Sequence, residues 1–248
     1  MADTTGHLYV YGDSYSDIRD GNQKSNGPLW SERLADRWGL QLKSLAEQGA
    51  RACPSSATSV VSSSFSSLAD QVQQRTTSSA SQDVHAIFIG VTDVVNTKEK
   101  LEAEALRDCV KQQIFNIQQT DANARILLFG LPPLEFSPYY AKEPSKIKGR
   151  IMEYNAALED MVNDWDSVNG ATASLSYVDL STLFGAVLGD PSEYRLLDVE
   201  NAYWDKCQGR CNDPVNNYLW WDAIHITGGK PFFSAIHHSR VQCTYYED

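Results

Sequence analysis

The sequence has no cluster of lysine and arginine residues, and 32 acidic residues outnumber 21 basic ones, which gives a formal net charge of −11. Binding to nucleic acid or to an anionic membrane surface requires clustered positive charge, so this balance argues against both partners. The sequence also has no uninterrupted apolar run long enough to span a bilayer. Its 42% hydrophobic and 21% charged residues are typical of an ordinary globular chain.

The beginning of the sequence has neither the basic start nor the apolar run of a signal peptide. It contains no Asn-x-Ser/Thr acceptor, and its 5 cysteines are spread out except for Cys207 and Cys211. These features favour a cytoplasmic protein, or a secreted one if a signal peptide has been removed. A Cys207–Cys211 disulfide would favour secretion, and the sequence leaves that pairing open. The spacing is not that of a zinc site, so we expect no metal.

Apolar runs alternate with helical patterns along the chain. Val84–Gly90 and Arg125–Gly130 are near-continuous apolar runs ending at glycine, typical of central strands covered on both faces. Leu101–Gln119 and Ile147–Trp165 have helical patterns. The other predicted elements are the first strand, which begins at Leu8, helices Pro28–Trp38, Leu68–Gln74 and Gly229–Arg240, and strands Leu40–Leu45 and Ser174–Asp179. This alternation predicts one α/β domain over residues 1–248, with a mostly parallel sheet between helical layers.

The first strand stops abruptly at Gly12-Asp13-Ser14. A serine at the rim of a sheet has an exposed hydroxyl and a rigidly held backbone, which is the position of a nucleophile. A helix after it would add the positive end of a dipole, which stabilises a developing anion. Gly-Asp-Ser is also common turn chemistry, so a plain turn is the alternative.

A serine nucleophile needs a base, and His225 in Trp-Trp-Asp-Ala-Ile-His is the best of 5 histidines. Asp222, three residues earlier, can fold back to Nδ1 of His225 and leave Nε2 facing Ser14. The other histidines lie at the polar N-terminus, inside a predicted strand and on the last predicted helix: His7, His85, His237 and His238. The alternative is that Asp222 caps a turn and His225 is incidental.

Acyl transfer also needs hydrogen-bond donors for an oxyanion. The candidates are the backbone N–H groups of Ser14 and Gly49 and the hydroxyl of Thr92, in loops predicted to share one edge of the sheet. Ordinary turn geometry explains Gly49 equally well, and helix capping explains Thr92.

Four further residues near these loops are candidates for the substrate pocket: Asp13, Tyr15, Asp93 and Trp221. Core packing explains Trp220 and Trp221 about equally well.

Together these residues resemble the GDSL, or SGNH, hydrolase family. Its first block is similar to Gly-Asp-Ser at 12–14 and its second to Gly49. Its third, Gly-x-Asn-Asp, has its nearest match at 90–93. Its last, Asp-x-x-His, is matched by Asp222 and His225. The resemblance implies a three-layer α/β/α, flavodoxin-like fold, Ser14 as nucleophile, an oxyanion site of Ser14, Gly49 and Thr92, and no cofactor.

Secondary markers extend the resemblance over nearly the whole chain. Leu-Pro-Pro at 131–133 and Asn155 resemble family features, and the cysteine-containing stretch before Tyr218 is similar to the plant and fungal esterase branch. Two positions depart from the pattern. Thr92 replaces the asparagine whose amide N–H serves the oxyanion, and losing one such donor typically costs about 10²–10³ in rate. Ile226 replaces the usual proline, which changes loop stiffness but no chemistry.

The resemblance implies a serine esterase that acts on a small, acetyl-like ester of a carbohydrate or natural product. The altered Thr92 leaves open a biosynthetic acyltransferase, or an acid/base cyclase or dehydratase. A non-catalytic binding protein of the same fold is a third hypothesis, against which the joint presence of Ser14, Asp222 and His225 counts.

Overall fold

The computed structural model describes residues 6–19, 25–54, 66–75, 83–97, 101–165, 174–207 and 214–228. The strands in these ranges are β1 (His7–Gly12), β2 (Gln41–Ser44), β3 (Val84–Phe88), β4 (Arg125–Phe129), β5 (Ser174–Val178), β6 (Asp198–Ala202) and β7 (Tyr218–Trp220). The helices are α1 (Trp30–Trp38), α2 (Leu68–Gln74), α3 (Val91–Asn96), α4 (Ala103–Thr120), α5 (Ser145–Asn163), α6 (Leu180–Gly189) and α7 (Tyr203–Cys207). Short 3-10 turns cover Leu134–Phe136 and Val215–Asn217.

Five strands form a parallel sheet in the order β2-β1-β3-β4-β5 within the described ranges. β1 lies between β2 and β3, and its last residue, Gly12, is in register with Phe88 at the end of β3. The carboxyl ends of parallel strands meet at one edge, so the segments that follow β1, β2 and β3 lie close together. The predicted three-layer α/β/α fold with a parallel sheet is confirmed.

Local sequence explains why the first two helices begin where they do. The side chain of Glu32 accepts a hydrogen bond from the backbone N–H of Leu29 at 2.8 Å, and α1 ends at Gly39, whose φ of 62° is left-handed. At α2, Ser67 and Asp70 form a reciprocal capping box. The predicted strands and helices that lie in the described ranges match the structure within about two residues at each end, an ordinary scatter for helix ends.

The core lies on both faces of the central strands. Every residue of β3 is buried, as its continuous apolar run predicted. The rings of Trp30 and Phe129 pack with their centroids 4.7 Å apart, and those of Phe88 and Phe129 are 5.7 Å apart. This aromatic layer lies beneath the strand ends that carry the candidate site, so the site is built on a rigid base.

Several elements were not predicted. α3 occupies what the sequence suggested was a loop, α6 and α7 were missed, and β6 and β7 form a small separate sheet. The predicted helix Gly229–Arg240 and most of the serine-rich segment 54–67 lie outside the described residues. No helix in the described part of the chain is long and apolar enough to cross a membrane.

The structure also contains a disulfide for which the sequence made no prediction. Cys53 and Cys109, whose separation in sequence is 56, are joined by a disulfide. Cys207 is disulfide-bonded as well, and its partner is outside the described residues, as is Cys211. Scattered positions in the sequence gave no sign of the Cys53–Cys109 bond.

Candidate active site

The end of β1 is built around Gly12. A Cβ on this residue would lie 2.1 Å from the carbonyl oxygen of Phe88, so no side chain fits here. The side chain of Gln71 on α2 accepts from the N–H of Gly12 at 2.8 Å and donates to its carbonyl at 2.9 Å. Ser14 follows in a turn closed by Ser16 N–H donating to the carbonyl of Asp13 at 3.0 Å. A turn, and not a helix, follows Ser14 directly, so Ser14 is not at a helix N-terminus.

The structure brings Ser14, His225 and Asp222 together. Oγ of Ser14 lies 3.0 Å from Nε2 of His225, and Nδ1 of His225 lies 2.7 Å from Oδ2 of Asp222. With the ring proton on Nδ1 donated to the carboxylate, Nε2 is free to accept the serine proton. This is the geometry that the spacing of Asp222 and His225 predicted.

Asp222 and His225 lie in a tight turn that directly follows β7. Trp220 and Ile226 form an antiparallel bridge, and the N–H of Trp221 donates to the carbonyl of His225 at 2.8 Å. Oδ1 of Asp222 accepts the N–H groups of Ile224 at 2.9 Å and His225 at 2.7 Å. One oxygen of Asp222 thus builds the turn, and the other holds the ring of His225.

The environment of Asp222 keeps its carboxylate ionised. Burial raises the pKa of Asp222, but the hydrogen bond and charge of His225, with the two backbone N–H groups, outweigh it and leave the pKa below its usual value. An ionised carboxylate stabilises the imidazolium that forms when the ring takes a proton.

Ser14, Gly49 and Thr92 line the cleft beside His225, and each has a hydrogen-bond donor. The N–H groups of Ser14 and Gly49 and the hydroxyl of Thr92 have no partner among the described residues. Gly49 has a φ of 80°, a left-handed conformation that glycine adopts without strain. The N–H of Thr92 is used, since it donates to Oδ2 of Asp13 at 3.2 Å. Of the two hydrogen-bond donors of Thr92, the hydroxyl is therefore the one left without a partner among the described residues.

Buried carboxylates fasten the loops that carry these donors. Asp13 is fully buried and also accepts the N–H of Tyr15 at 3.3 Å. Oδ2 of Asp93 accepts the N–H of Ala52 at 3.0 Å, and Oδ2 of Asp17 accepts the N–H of Gln48 at 2.8 Å. The segment around Gly49 is thus held from the β1 turn and from α3.

Burial sets the ionisation of two of these carboxyls. It raises the pKa of Asp13 to about 6, against the lowering effect of the hydrogen bonds from Tyr15 and Thr92. Burial likewise raises the pKa of Asp93 above its usual value. At Asp17, burial is outweighed by hydrogen bonds from Arg19 and Gln48, which leave the pKa below its usual value.

The four residues predicted for the substrate pocket have other positions. Asp13 and Asp93 are buried, and their carboxylates accept backbone N–H groups of neighbouring loops, as described above. The Tyr15 hydroxyl donates to the carbonyl of Ile224, and its ring lies 5.3 Å from that of His225, so Tyr15 packs against the turn that contains Asp222 and His225. Trp221 stacks on Tyr203 at 5.8 Å. None of the four lines the cleft around Ser14, and Trp220 is core.

The cleft has a volume of about 750 Å³. Its lining combines the predicted residues with others that no motif marked: Ser14, Asp17, Arg19, Glu47, Gln48, Gly49, Val91, Thr92, Val95, Asn96, Ile224 and His225. Val95 lies one turn after Thr92 on α3, and this helical spacing is the one signal that would have found it. Over the same described part of the chain, no group of three or more His, Cys, Asp or Glu side chains is placed to hold a metal ion.

Asn155 on α5, which resembles a family feature, forms hydrogen bonds to the backbone of the Leu-Pro-Pro segment. Its Oδ1 accepts the N–H of Leu131 at 2.7 Å, and its Nδ2 donates to the carbonyl of Leu131 at 2.9 Å. Asn155 therefore fixes the Leu-Pro-Pro segment to α5, away from the catalytic groups.

The parallel α/β sandwich and the Ser14 cleft at its strand ends are features of a hydrolase or acyl-transfer enzyme. The chain belongs to the GDSL-like lipase/acylhydrolase family, whose model matches residues 8–229. A search of curated protein sequences found no match.

Solved structures share the fold at low sequence identity. A lipolytic protein of the G-D-S-L family from Veillonella parvula DSM 2008 is 8% identical, with a TM-score of 0.57 over 96% of this chain and 100% of its own. Axe2, an acetylxylan esterase from Geobacillus stearothermophilus, is 13% identical, with a TM-score of 0.51 over 94% of each chain. The salicylyl-acyltransferase SsfX3 from a tetracycline biosynthetic pathway is 15% identical, with a TM-score of 0.52 over 95% of this chain and 54% of its own.

Proposed function

We propose that the protein is a serine esterase that hydrolyses a small, acetyl-like ester of a carbohydrate or natural product. The observation that carries this proposal is the 3.0 Å contact between Oγ of Ser14 and Nε2 of His225, with Nδ1 of the same ring held by Asp222. Base, nucleophile and orienting carboxylate are thus in hydrogen-bond contact, which acyl transfer through a serine requires.

In the first half-reaction, His225 takes the proton of Ser14 as Oγ attacks the ester carbonyl carbon. The N–H groups of Ser14 and Gly49 and the hydroxyl of Thr92 stabilise the oxyanion that forms. Collapse of the tetrahedral intermediate breaks the ester C–O bond, and His225 gives its proton to the departing alcohol. In the second half-reaction, water attacks the acyl-serine with His225 again as base, which releases the acid and regenerates Ser14.

The substrate class is supported by the cleft and by the fold. The cleft is open and lined by Arg19, Glu47 and Gln48 as well as by apolar side chains, which suits a polar alcohol more than a long hydrocarbon. The fold is shared with an acetylxylan esterase.

A second function, transfer of the acyl group to another alcohol, is favoured by one observation. Thr92 supplies a single hydroxyl where the family pattern has an asparagine amide, so the oxyanion site differs from that of the family's hydrolases. The fold is also shared with an acyltransferase.

The test is turnover of 4-nitrophenyl acetate and covalent labelling by a fluorophosphonate. We expect the wild-type chain to show both activities and Ser14→Ala to lose both. Ser192→Ala, which removes an exposed serine hydroxyl bonded to Asp190, is the matched control and should retain both. Labelling of Ser14 without hydrolysis would favour acyl transfer, and absence of labelling would refute both proposals.

We also propose that the protein works in an oxidising compartment. The Cys53–Cys109 disulfide and the bonded state of Cys207 support this location over the cytoplasm, where thiols are kept reduced.

A further inference from the structure

A second cleft, of about 830 Å³, lies beside the one that contains Ser14. Val95 on α3 lines both clefts. Because Thr92 and Val95 are three residues apart on one face of α3, their Cβ atoms are separated by only about 5–6 Å. A group held in the second cleft is therefore a near neighbour of an ester placed at the oxyanion donors.

The wall of the second cleft is attached to the catalytic turn. Tyr139, which lines this cleft, donates its backbone N–H to the carbonyl of Ala223 at 3.0 Å, between Asp222 and His225. The position of Tyr139 is thus fixed relative to the triad by a main-chain contact that does not depend on its side chain.

The second cleft offers a rigid aromatic surface. The side chain of Tyr139 is exposed (the residue has 66% relative accessibility) and packs edge-on against the buried Tyr140 at a centroid distance of 4.8 Å. A large ring left exposed next to a cleft, and held in place by a second ring, is a surface on which a ligand ring can stack.

The polar groups of the second cleft include both donors and acceptors. The guanidinium of Arg150, which lines this cleft, donates through Nη1 to the carbonyl of Val94 at 3.2 Å. The carboxylate of Glu153 and the hydroxyl of Ser145 line the same cleft. Donors, acceptors and an aromatic face together match a ring that carries several hydroxyl groups.

We infer that the second cleft binds a glycosyl unit of the substrate's alcohol portion, stacked on Tyr139, while the ester lies at Ser14. This inference rests on the proposed function, and it narrows the alcohol to a sugar with at least one unit beyond the acylated one. Binding of a long acyl chain in the same cleft is unfavourable, because the chain would displace water from the charged side chains of Arg150 and Glu153 without forming hydrogen bonds to either.

The experiment compares an acetylated xylotriose with 4-nitrophenyl acetate, whose alcohol portion has no glycosyl unit. In Tyr139→Ala, we expect the ratio of kcat/KM for the trisaccharide to that for the small ester to fall about three- to tenfold, as loss of one aromatic contact implies. Phe136→Ala is the matched control: Phe136 is half exposed, lies in the same loop and lines neither cleft, so this ratio should stay unchanged.

A binding measurement separates this inference from the proposed function. Ser14→Ala cannot turn over the ester, so its affinity for acetylated xylotriose can be measured by calorimetry with and without Tyr139→Ala. Weaker binding in the double variant supports the second cleft, even if the wild-type chain proves not to hydrolyse esters. Equal binding, or a specificity change for long-chain acyl esters in place of the trisaccharide, would overturn it.

Discussion

At the scale of single residues, Thr92 carries the most informative departure from the family pattern. Its N–H is bonded to Asp13, so only its hydroxyl remains for an oxyanion. We expect Thr92→Val, which keeps the shape and removes the hydroxyl, to lower kcat for 4-nitrophenyl acetate by about 10²-fold. Thr92→Asn should raise hydrolysis above the wild-type rate. A neutral Thr92→Val, or an unchanged or slower Thr92→Asn, would remove Thr92 from the oxyanion site.

Asp13 gives the folded protein a stability that depends on pH. Its folded pKa of about 6 lies above the ordinary value of 3.8, so the native state binds this proton more tightly than the unfolded chain does. The free energy of unfolding should therefore fall by about 2 kcal/mol from this group as the pH rises from about 4 to 7. Urea unfolding at several pH values measures this slope.

Asp13→Asn is the variant that isolates the effect. It removes the titration, so the fall in unfolding free energy between about pH 4 and 7 should become smaller than in the wild-type chain. The exposed Asp190 serves as the comparison, because Asp190→Asn should leave the slope over this range as it is. If Asp13→Asn kept the full wild-type slope, the buried Asp13 would not be the group that titrates.

At the scale of elements, the Cys53–Cys109 disulfide ties the end of the Gly49 segment to α4. The double variant Cys53→Ser/Cys109→Ser should lose about 3–4 kcal/mol of unfolding free energy, given the long loop that the bond closes. It should also lose activity towards 4-nitrophenyl acetate, since the Gly49 N–H is then less firmly held.

Reductant gives an independent check on the disulfide. It should lower the activity and stability of the wild-type chain by more than those of the double variant, in which the bond at Cys207 remains reducible. A double variant as stable as the wild-type chain would mean that the hydrogen bonds from Asp17 and Asp93 hold the segment unaided.

Elements with a strong local pattern were the predictable ones. β3 is a buried apolar run and α4 is a long amphipathic stretch, and both lie where the sequence put them. β6, with the sequence Asp-Val-Glu-Asn-Ala, has no alternating apolar face, and its pairing with β7 arises from tertiary contact. α3 is only six residues long and begins at Gly90 without a side-chain cap, so no start signal announced it.

The site was predictable to the same degree. Asp222 and His225 meet through a local turn and Ser14 ends a strand, so the residue pattern together with the family resemblance made these three the candidates. Asp13 and Asp93 were expected to face substrate, but a sequence does not show which N–H a carboxylate reaches. Helical spacing from Thr92 could have pointed to Val95, whereas Tyr139 reaches the same cleft only when distant segments fold, and no local pattern marks it.

At the scale of the whole molecule, the net charge of −11 acts on any substrate that approaches the cleft. A neutral acetylated oligosaccharide should be hydrolysed with a kcat/KM about tenfold above that of an acetylated, negatively charged oligouronide at low ionic strength. The gap should narrow as salt screens the repulsion. Measurements of kcat/KM for both substrates at low and high salt test this prediction. A ratio that does not change with salt would mean that contacts in the cleft, and not the net charge, cause the selectivity.

Asp222 both holds the turn and orients the ring of His225, and this double role decides which variant is suited to trapping a substrate complex. A substitution of Asp222 would remove the hydrogen bond that orients the His225 ring. It would also remove the bonds from the N–H groups of Ile224 and His225 that hold the turn, so a bound ester would be seen in a distorted pocket. Ser14→Ala removes only the side-chain hydroxyl and keeps the backbone N–H, so it is the variant in which a trapped ligand would lie in an otherwise unchanged site.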